Sequence, residues 1–207
     1  MIKEIKIGNF LDRLSSSDPT PGGGSASALA GAVSASLIGM VSELTVRSKK
    51  YADKKEIIFP LIKISKDIKN EFMLAADRDI ICFKKFMECL KLPKKTEKEK
   101  SYRKEAIQKA AMDATLSPLD IMEKAVVLCD ILIKLAKNGN KHALSDVSVA
   151  VYYAETAFYG AKQNVIINLN IIKDKEQKNS LEKKMKKLNK LFSEKIIESK
   201  KILGILS

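Results

Sequence analysis

The chain has 207 residues, 45% of them apolar, and a formal charge of +13. That length and apolar content fit one domain with a real core and exclude a wholly disordered chain. Three cysteines (Cys82, Cys89, Cys129) without CxxC spacing argue against a disulfide framework, and a single histidine, His142, argues against a histidine-based metal site.

The N-terminal segment mixes charges with isolated apolar residues, Ile5, Phe10, Leu11 and Leu14. It reads as a short amphipathic helix and lacks the apolar stretch of an export signal. Together with unpaired thiols this points to a cytoplasmic protein. Serines and Asp18 close the segment, and the stretch from Pro19 to Gly24 cannot continue a helix.

A long helix is predicted from Ser25 to about residue 49. Ala28, Gly31, Ala32, Ala35 and Gly39 recur along it at three- and four-residue steps, a stripe that lets a neighbouring backbone approach closely. Its uncharged part, residues 25–42, is too rich in small and polar residues for a convincing membrane span, and a buried helix is expected.

A second helix is expected over about 52–91, with Pro60 as a break or first-turn residue. Its apolar stripe includes Leu61, Ile64, Ile68, Phe72, Ala75, Phe83, Phe86 and Leu90. Pro93 ends it. The next helix covers about 96–137, and Ser117-Pro118 is expected to kink or split it. Asn138-Gly139-Asn140 is a stop, and Ser145 is a plausible N-cap for a helix reaching about residue 172. The last helix, about 175–206, carries Leu181, Met185, Leu188, Phe192 and Ile196 as its buried stripe. No alternating strand pattern or repeat is present. The fold class is all-α, a bundle of five or six helices in a single domain spanning 1–207.

Three features could carry chemistry. Gly22, Gly23 and Gly24 run into a helix start, where free N–H groups and the helix dipole favour an anion or a flat polar ring. Neither a P-loop nor a dinucleotide fingerprint is formed, and a plain interhelical loop is the competing reading. Asp79 falls on the apolar stripe of its helix, while Asp77 points roughly to the opposite side. A carboxylate on a buried face must be paired, neutralised or turned to a polar cavity, so Asp79 is either a proton-transfer group or half of a structural ion pair. The third feature is a helix face reading Asp146, Val149, Tyr153, Ala157, Gly160, Asn164, Asn168 and Ile171. Its polar groups could bond to a ligand or to one another. His142, after a turn, reads as a surface or capping residue.

Pro19-Thr20-Pro21-Gly22-Gly23-Gly24-Ser25 and the small-residue helix after it resemble the opening of the formiminotransferase-cyclodeaminase C-terminal family. Lys49-Lys50-Tyr51 is similar to the basic-aromatic end of that family's first long helix. Asp79 through Phe83 resembles its Asp-x-x-Ala-Phe element, with Cys82 where alanine is usual. Pro118-Leu119, Gly139-Asn140, Ser145-Asp146 and the segment from Gly160-Ala161 through Asn164-Val165 to Ile167-Asn168-Leu169 continue the likeness in order, so that it covers nearly the whole chain.

The resemblance implies an all-α homodimer, a stand-alone form without the transferase domain, and a tetrahydrofolate one-carbon derivative as substrate. Two reactions are implied at one carbon. A formimino group closes to a methenyl bridge with loss of ammonia, or water opens that bridge to a formyl group. Asp79 is the implied proton-moving group and Asp77 the reserve. Pro21, Gly22, Gly23, Gly24 and Ser25 would hold the pterin or its surroundings, and Asp146, Asn164 and Asn168 its edge. Lys49 and Lys50 would meet the glutamate tail, polyglutamylated or not. No metal or redox cofactor is called for.

Two other readings compete. Lysine-rich residues 94–109 and 173–201 could make a non-catalytic module for nucleic acid or an acidic membrane surface. Interleaved glutamates and few aromatics favour a solvated surface instead, with neither nucleic acid nor membrane as partner. A scaffolding bundle would leave its polar faces bonded internally.

Overall fold

In a computed structural model, residues 1–206 are described. They form six α-helices: α1 (Ile7–Leu14), α2 (Gly23–Arg47), α3 (Lys55–Leu90), α4 (Glu97–Asn138), α5 (Leu144–Leu169) and α6 (Lys175–Leu203). Short 3-10 turns at Ile2–Glu4, Lys49–Lys54 and Lys141–Ala143 join or precede them. No strand occurs among the described residues. Helices α2 to α5 run up, down, up and down, each packed on the next, and α5 closes the ring on α2. Helix α6 lies across α4 and α5.

Residue size explains the tight centre. Gly31 is buried on α2, and the Phe72 ring of α3 occupies the space a Cβ there would need. Ala28 and Ala35 flank it with no exposure, as does Ile38 below. The small-residue stripe thus admits α3 on one side and α5 on the other. By length and composition α2 could cross a bilayer, but half of its most apolar window is buried in the bundle.

Neither proline breaks its helix. Pro60 lies in the second turn of α3, and α4 continues through Pro118, so of the expected kink or split the split does not occur. A proline inside a helix removes one N–H, and what replaces it at Pro118 is given below. Ser145 is not an N-cap. Helix α5 starts one residue before it, and Asn140 caps the preceding turn by accepting from the His142 N–H (3.0 Å). The His142 side chain is exposed. Thr96 and Glu99 form a capping box at the start of α4, and the Asp174 side chain caps α6.

Unequal lengths shape the end of the bundle. Helices α2 and α5 have 25 and 26 residues, whereas α3 and α4 have 36 and 42. At 1.5 Å per residue, α4 is about 25 Å longer than α2. The last turns of α3 and the first turns of α4 therefore overhang the start of α2 and the end of α5. The notch beneath them holds the candidate site.

Candidate active site

Gly22, Gly23 and Gly24 enter the notch at the start of α2. Gly22 takes the N-cap position, so the helix opens two residues before Ser25. The first-turn amides have no intrahelical acceptor, and no side chain hides them. Opposite stands Asp79 of α3, half-buried, whose carboxylate accepts from the Ser25 Oγ (2.9 Å). The Ser25 backbone N–H also bonds to Asp79, so the carboxylate caps α2 from another helix. The same Ser25 hydroxyl lies 3.2 Å from the Ala76 carbonyl. Gly24 has to be glycine here, because a Cβ would come within 2.5 Å of the Asp79 Cγ.

Burial pushes the Asp79 carboxyl above the ordinary carboxylate range, and the two Ser25 hydrogen bonds only partly offset it. Cys82, one turn on, is also pushed up, by burial first and then by the charges of Asp113 and Asp79. The site therefore pairs a proton-affine carboxyl with a thiol kept in its neutral form.

Helix α5 supplies the facing wall. The Asn164 Nδ2 donates to the Gly160 carbonyl (2.9 Å) on its own helix. The Asn168 Nδ2 reaches across to the Ala114 carbonyl of α4 (2.6 Å). Ala114 is four residues before Pro118, which has no N–H to give it. The proline thus frees a carbonyl, and Asn168 occupies it. With both NH2 groups engaged, each asparagine has its Oδ1 left as an acceptor.

These groups line one cavity of about 400 Å³, a size common for ligand pockets, with Phe83, Phe86, Ile167 and Ile171 as apolar walls. Its polar contents are amide donors from the glycine turn, two amide oxygens and one carboxylate. Such a set suits a flat heterocycle carrying both donors and acceptors, with a centre of positive charge near Asp79.

The structure brings Gly22, Gly23, Gly24, Asp79, Asn164 and Asn168 to this cavity, with Ser25 buried directly beneath it. Pro21 is buried in the turn that shapes the rim. Four expected residues lie elsewhere. Asp77 accepts from the Ile2 backbone N–H (2.8 Å), so it anchors the N-terminal turn rather than serving as a reserve carboxylate. Lys49 and Lys50 follow the far end of α2, roughly 36 Å along the helix from Gly23. Asp146 lies 18 residues, roughly 27 Å, before Asn164 on α5. One helix face reads as one surface in sequence, but a pocket uses only a turn or two of it. Phe83 and Phe86, expected in the core stripe, instead wall the open notch. Cys82, Ile167 and Ile171 stood within the sequence patterns without an assigned role, and Ala114 carried no sequence signal, since only the overhang and the proline-freed carbonyl give it a place. Among the described residues, no group of three His, Cys, Asp or Glu side chains is set to hold a metal ion.

An up-down helical bundle whose glycine turn, helix-capping carboxylate and asparagine pair share one end-on pocket defines the class. The chain belongs to the formiminotransferase-cyclodeaminase family, whose profile matches residues 6–187. It is 34% identical to the methenyltetrahydrofolate cyclohydrolase of Methylorubrum extorquens, over 91% of this chain and 89% of that one. It is 30% identical to the mouse formimidoyltransferase-cyclodeaminase over 98% of this chain, which spans only 37% of that longer protein. The crystal structure of formiminotetrahydrofolate cyclodeaminase from Thermotoga maritima has the same fold, with a TM-score of 0.89, 26% identity and coverage of 99% of this chain and 98% of that one.

Proposed function

We propose that this chain is a folate one-carbon enzyme acting at the N5–N10 bridge of tetrahydrofolate, as a methenyltetrahydrofolate cyclohydrolase or a formiminotetrahydrofolate cyclodeaminase. The observation that carries this reading is Asp79, a proton-affine carboxylate held by Ser25 in a pocket of about 400 Å³. The names of the relatives give the substrate class.

In the hydrolytic direction, water adds to the cationic methenyl carbon while Asp79 takes its proton. The tetrahedral carbon then collapses: the bond to N5 breaks, Asp79 returns its proton to N5, and the remaining hydroxyl proton is released to water as the C=O forms, leaving the 10-formyl compound. In the deaminating direction, N10 adds to the formimino carbon and its proton passes to Asp79. The carbon–nitrogen bond to the former imino group breaks once that nitrogen is protonated, and ammonia leaves. In both, the Asp79 carboxylate also offsets positive charge on the methenyl bridge. The glycine amides and the Asn164 and Asn168 oxygens would hold the pterin. No step calls for a metal or a redox cofactor.

Two finer statements belong to the same proposal. The chain works as a homodimer, supported by an apolar surface on adjacent helices, with Met40 and Leu44 of α2 and Val149 and Tyr153 of α5 all exposed. It works in a reducing compartment such as the cytoplasm, supported by three unpaired cysteines.

The test follows methenyltetrahydrofolate loss by absorbance and, separately, its formation from the 5-formimino compound. Turnover of either above the buffer rate supports the reading and decides the chemistry. Turnover of neither overturns it.

A further inference from the structure

Most hydroxyls of α2 are satisfied on their own helix. Ser27, Ser36, Ser42 and Thr45 each donate to the carbonyl four residues back, at 2.7 to 2.8 Å. Ser25 has no such acceptor inside the helix, because four residues back is Pro21, before α2 begins. Its hydroxyl leaves the helix for α3 and finds two acceptors there, the Asp79 Oδ2 at 2.9 Å and the Ala76 carbonyl at 3.2 Å. Ser25 has no exposure, so bulk water does not compete for it.

A hydroxyl has one proton to give and lone pairs to receive, so it cannot donate to both acceptors at once. An ionised carboxylate makes the stronger, charge-assisted bond and takes the proton while Asp79 is charged. A protonated carboxyl has an O–H of its own to place, and the neutral Ala76 carbonyl then competes on equal terms. With the hydroxyl turned to Ala76, its lone pair faces Asp79 and accepts that O–H. The two acceptors sit three residues apart on α3, so the exchange needs a rotation of one hydroxyl and no movement of either helix.

The charges around Asp79 leave this exchange to Ser25. On α3, Arg78 is drawn to Asp120 (2.9 Å) and Asp77 to the Ile2 N–H (2.8 Å), while Cys82 lies one turn on. From α4 the near charge is Asp113, which is paired with Lys85 (3.0 Å). The cavity walls given by α2 and α5, Gly23, Gly24, Asn164 and Asn168, hold no titratable side chain. What moves the Asp79 carboxyl is accordingly burial, upward, and Ser25, downward.

Resting on the folate reading above, we propose that Ser25 is a positioning residue that follows the Asp79 proton: its hydroxyl donates to the ionised carboxylate and swings to the Ala76 carbonyl when Asp79 takes a proton, accepting the new O–H. The carboxyl is then held in one orientation through both halves of the reaction, uptake of a proton from water or N10 and its return to the leaving nitrogen. No bond of Ser25 forms or breaks. Ser25 does not touch the folate, so it leaves the set of substrate contacts in which the sequence placed it.

Two measurements test this. The first is the pH profile and folate binding of Ser25→Ala, on the substrate that the wild type converts. Without the hydroxyl, burial of Asp79 is less opposed, so the acid limb of kcat/KM moves to higher pH. At a fixed pH on that limb the rate should fall about tenfold, the size of one hydrogen bond to a charged group. Folate binding should stay unchanged, since Ser25 lies beneath the cavity. An unmoved limb, or weakened folate binding, would each overturn the positioning role. The second needs no variant to fold. Neutron diffraction from the perdeuterated wild type, below and above the titration of Asp79, locates the hydroxyl deuterium. It should point to Ala76 at the lower pH and to Asp79 at the higher. The same acceptor at both would overturn the swing. A wild type that turns over neither folate would instead bring down the folate reading, while the deuterium positions still decide whether Ser25 follows the proton.

Discussion

At Gly24 the Asp79 carboxylate fills the place where any other residue would carry its Cβ. Gly24→Ala is therefore expected to displace Asp79, with a cost of about 1–3 kcal/mol from overpacking and a loss of turnover. Thermal melting and the activity assay check both. Asp79 itself carries a stability signature. Its folded pKa is raised above 3.8, so the native state binds its proton more tightly than the unfolded chain. The contribution is favourable at low pH and is lost as pH rises from 3.8 through the raised value. Melting of the wild type should thus fall, relative to Asp79→Asn, as pH rises across that window. Equal pH dependence of the two proteins would contradict the burial argument. The raised value also places the acid limb of the kcat/KM profile above the ordinary carboxylate range, since Asp79 acts as a base. Sequence spacing alone could separate Asp79 from Asp77 by helix face. It could not show that Asp77 is held by the Ile2 N–H, because that contact spans 75 positions and depends on where the chain start folds back.

Helices α4 and α5 are coupled through a missing hydrogen bond. Pro118 deprives the Ala114 carbonyl of its helical donor, and Asn168 supplies another at 2.6 Å. Asn168→Ala should take the side-chain partner from that part-buried carbonyl at the pocket wall and cost about 0.5–1.5 kcal/mol. In a Pro118→Ala background the helical N–H returns, and the same Asn168→Ala change should cost much less. A double-mutant cycle by chemical denaturation reads the difference, and additive costs would refute the link. On the opposite flank, Phe72 fills the gap left by Gly31, and Phe72→Ala should cost about 3–5 kcal/mol. Helix order, approximate bounds and the buried stripes of α2 and α6 were legible from periodicity, because burial repeats with the helical turn. The continuity of α4 through Pro118 was not, since the group that replaces the missing hydrogen bond lies 50 residues away in the chain. The walls made by Phe83 and Phe86 were misread for a related reason: an apolar stripe looks the same over a core as over an open notch.

For the whole molecule, the net charge of +13 divides into two populations. Three lysines of α6, Lys184, Lys195 and Lys200, hold that helix to α4 and α5 through carboxylates, while Lys175, Lys178, Lys183, Lys186, Lys187 and Lys201 have no carboxylate partner among the described residues. Beside the pocket Lys94, Arg103, Lys104 and Lys173 also lack a carboxylate partner among the described residues, so the basic excess is not confined to one element. Dimerisation through α2 and α5 predicts twice the chain mass by light scattering, and Met40→Glu with Leu44→Glu should shift it toward the monomer. The most direct test of the central claim is turnover by Asp79→Asn beside the wild type, on the folate substrate that the wild type converts, with folate binding measured in parallel. The account predicts a rate at least about a hundredfold lower, with folate still bound and the fold intact. An Asp79→Asn protein that turns over at the wild-type rate would contradict it.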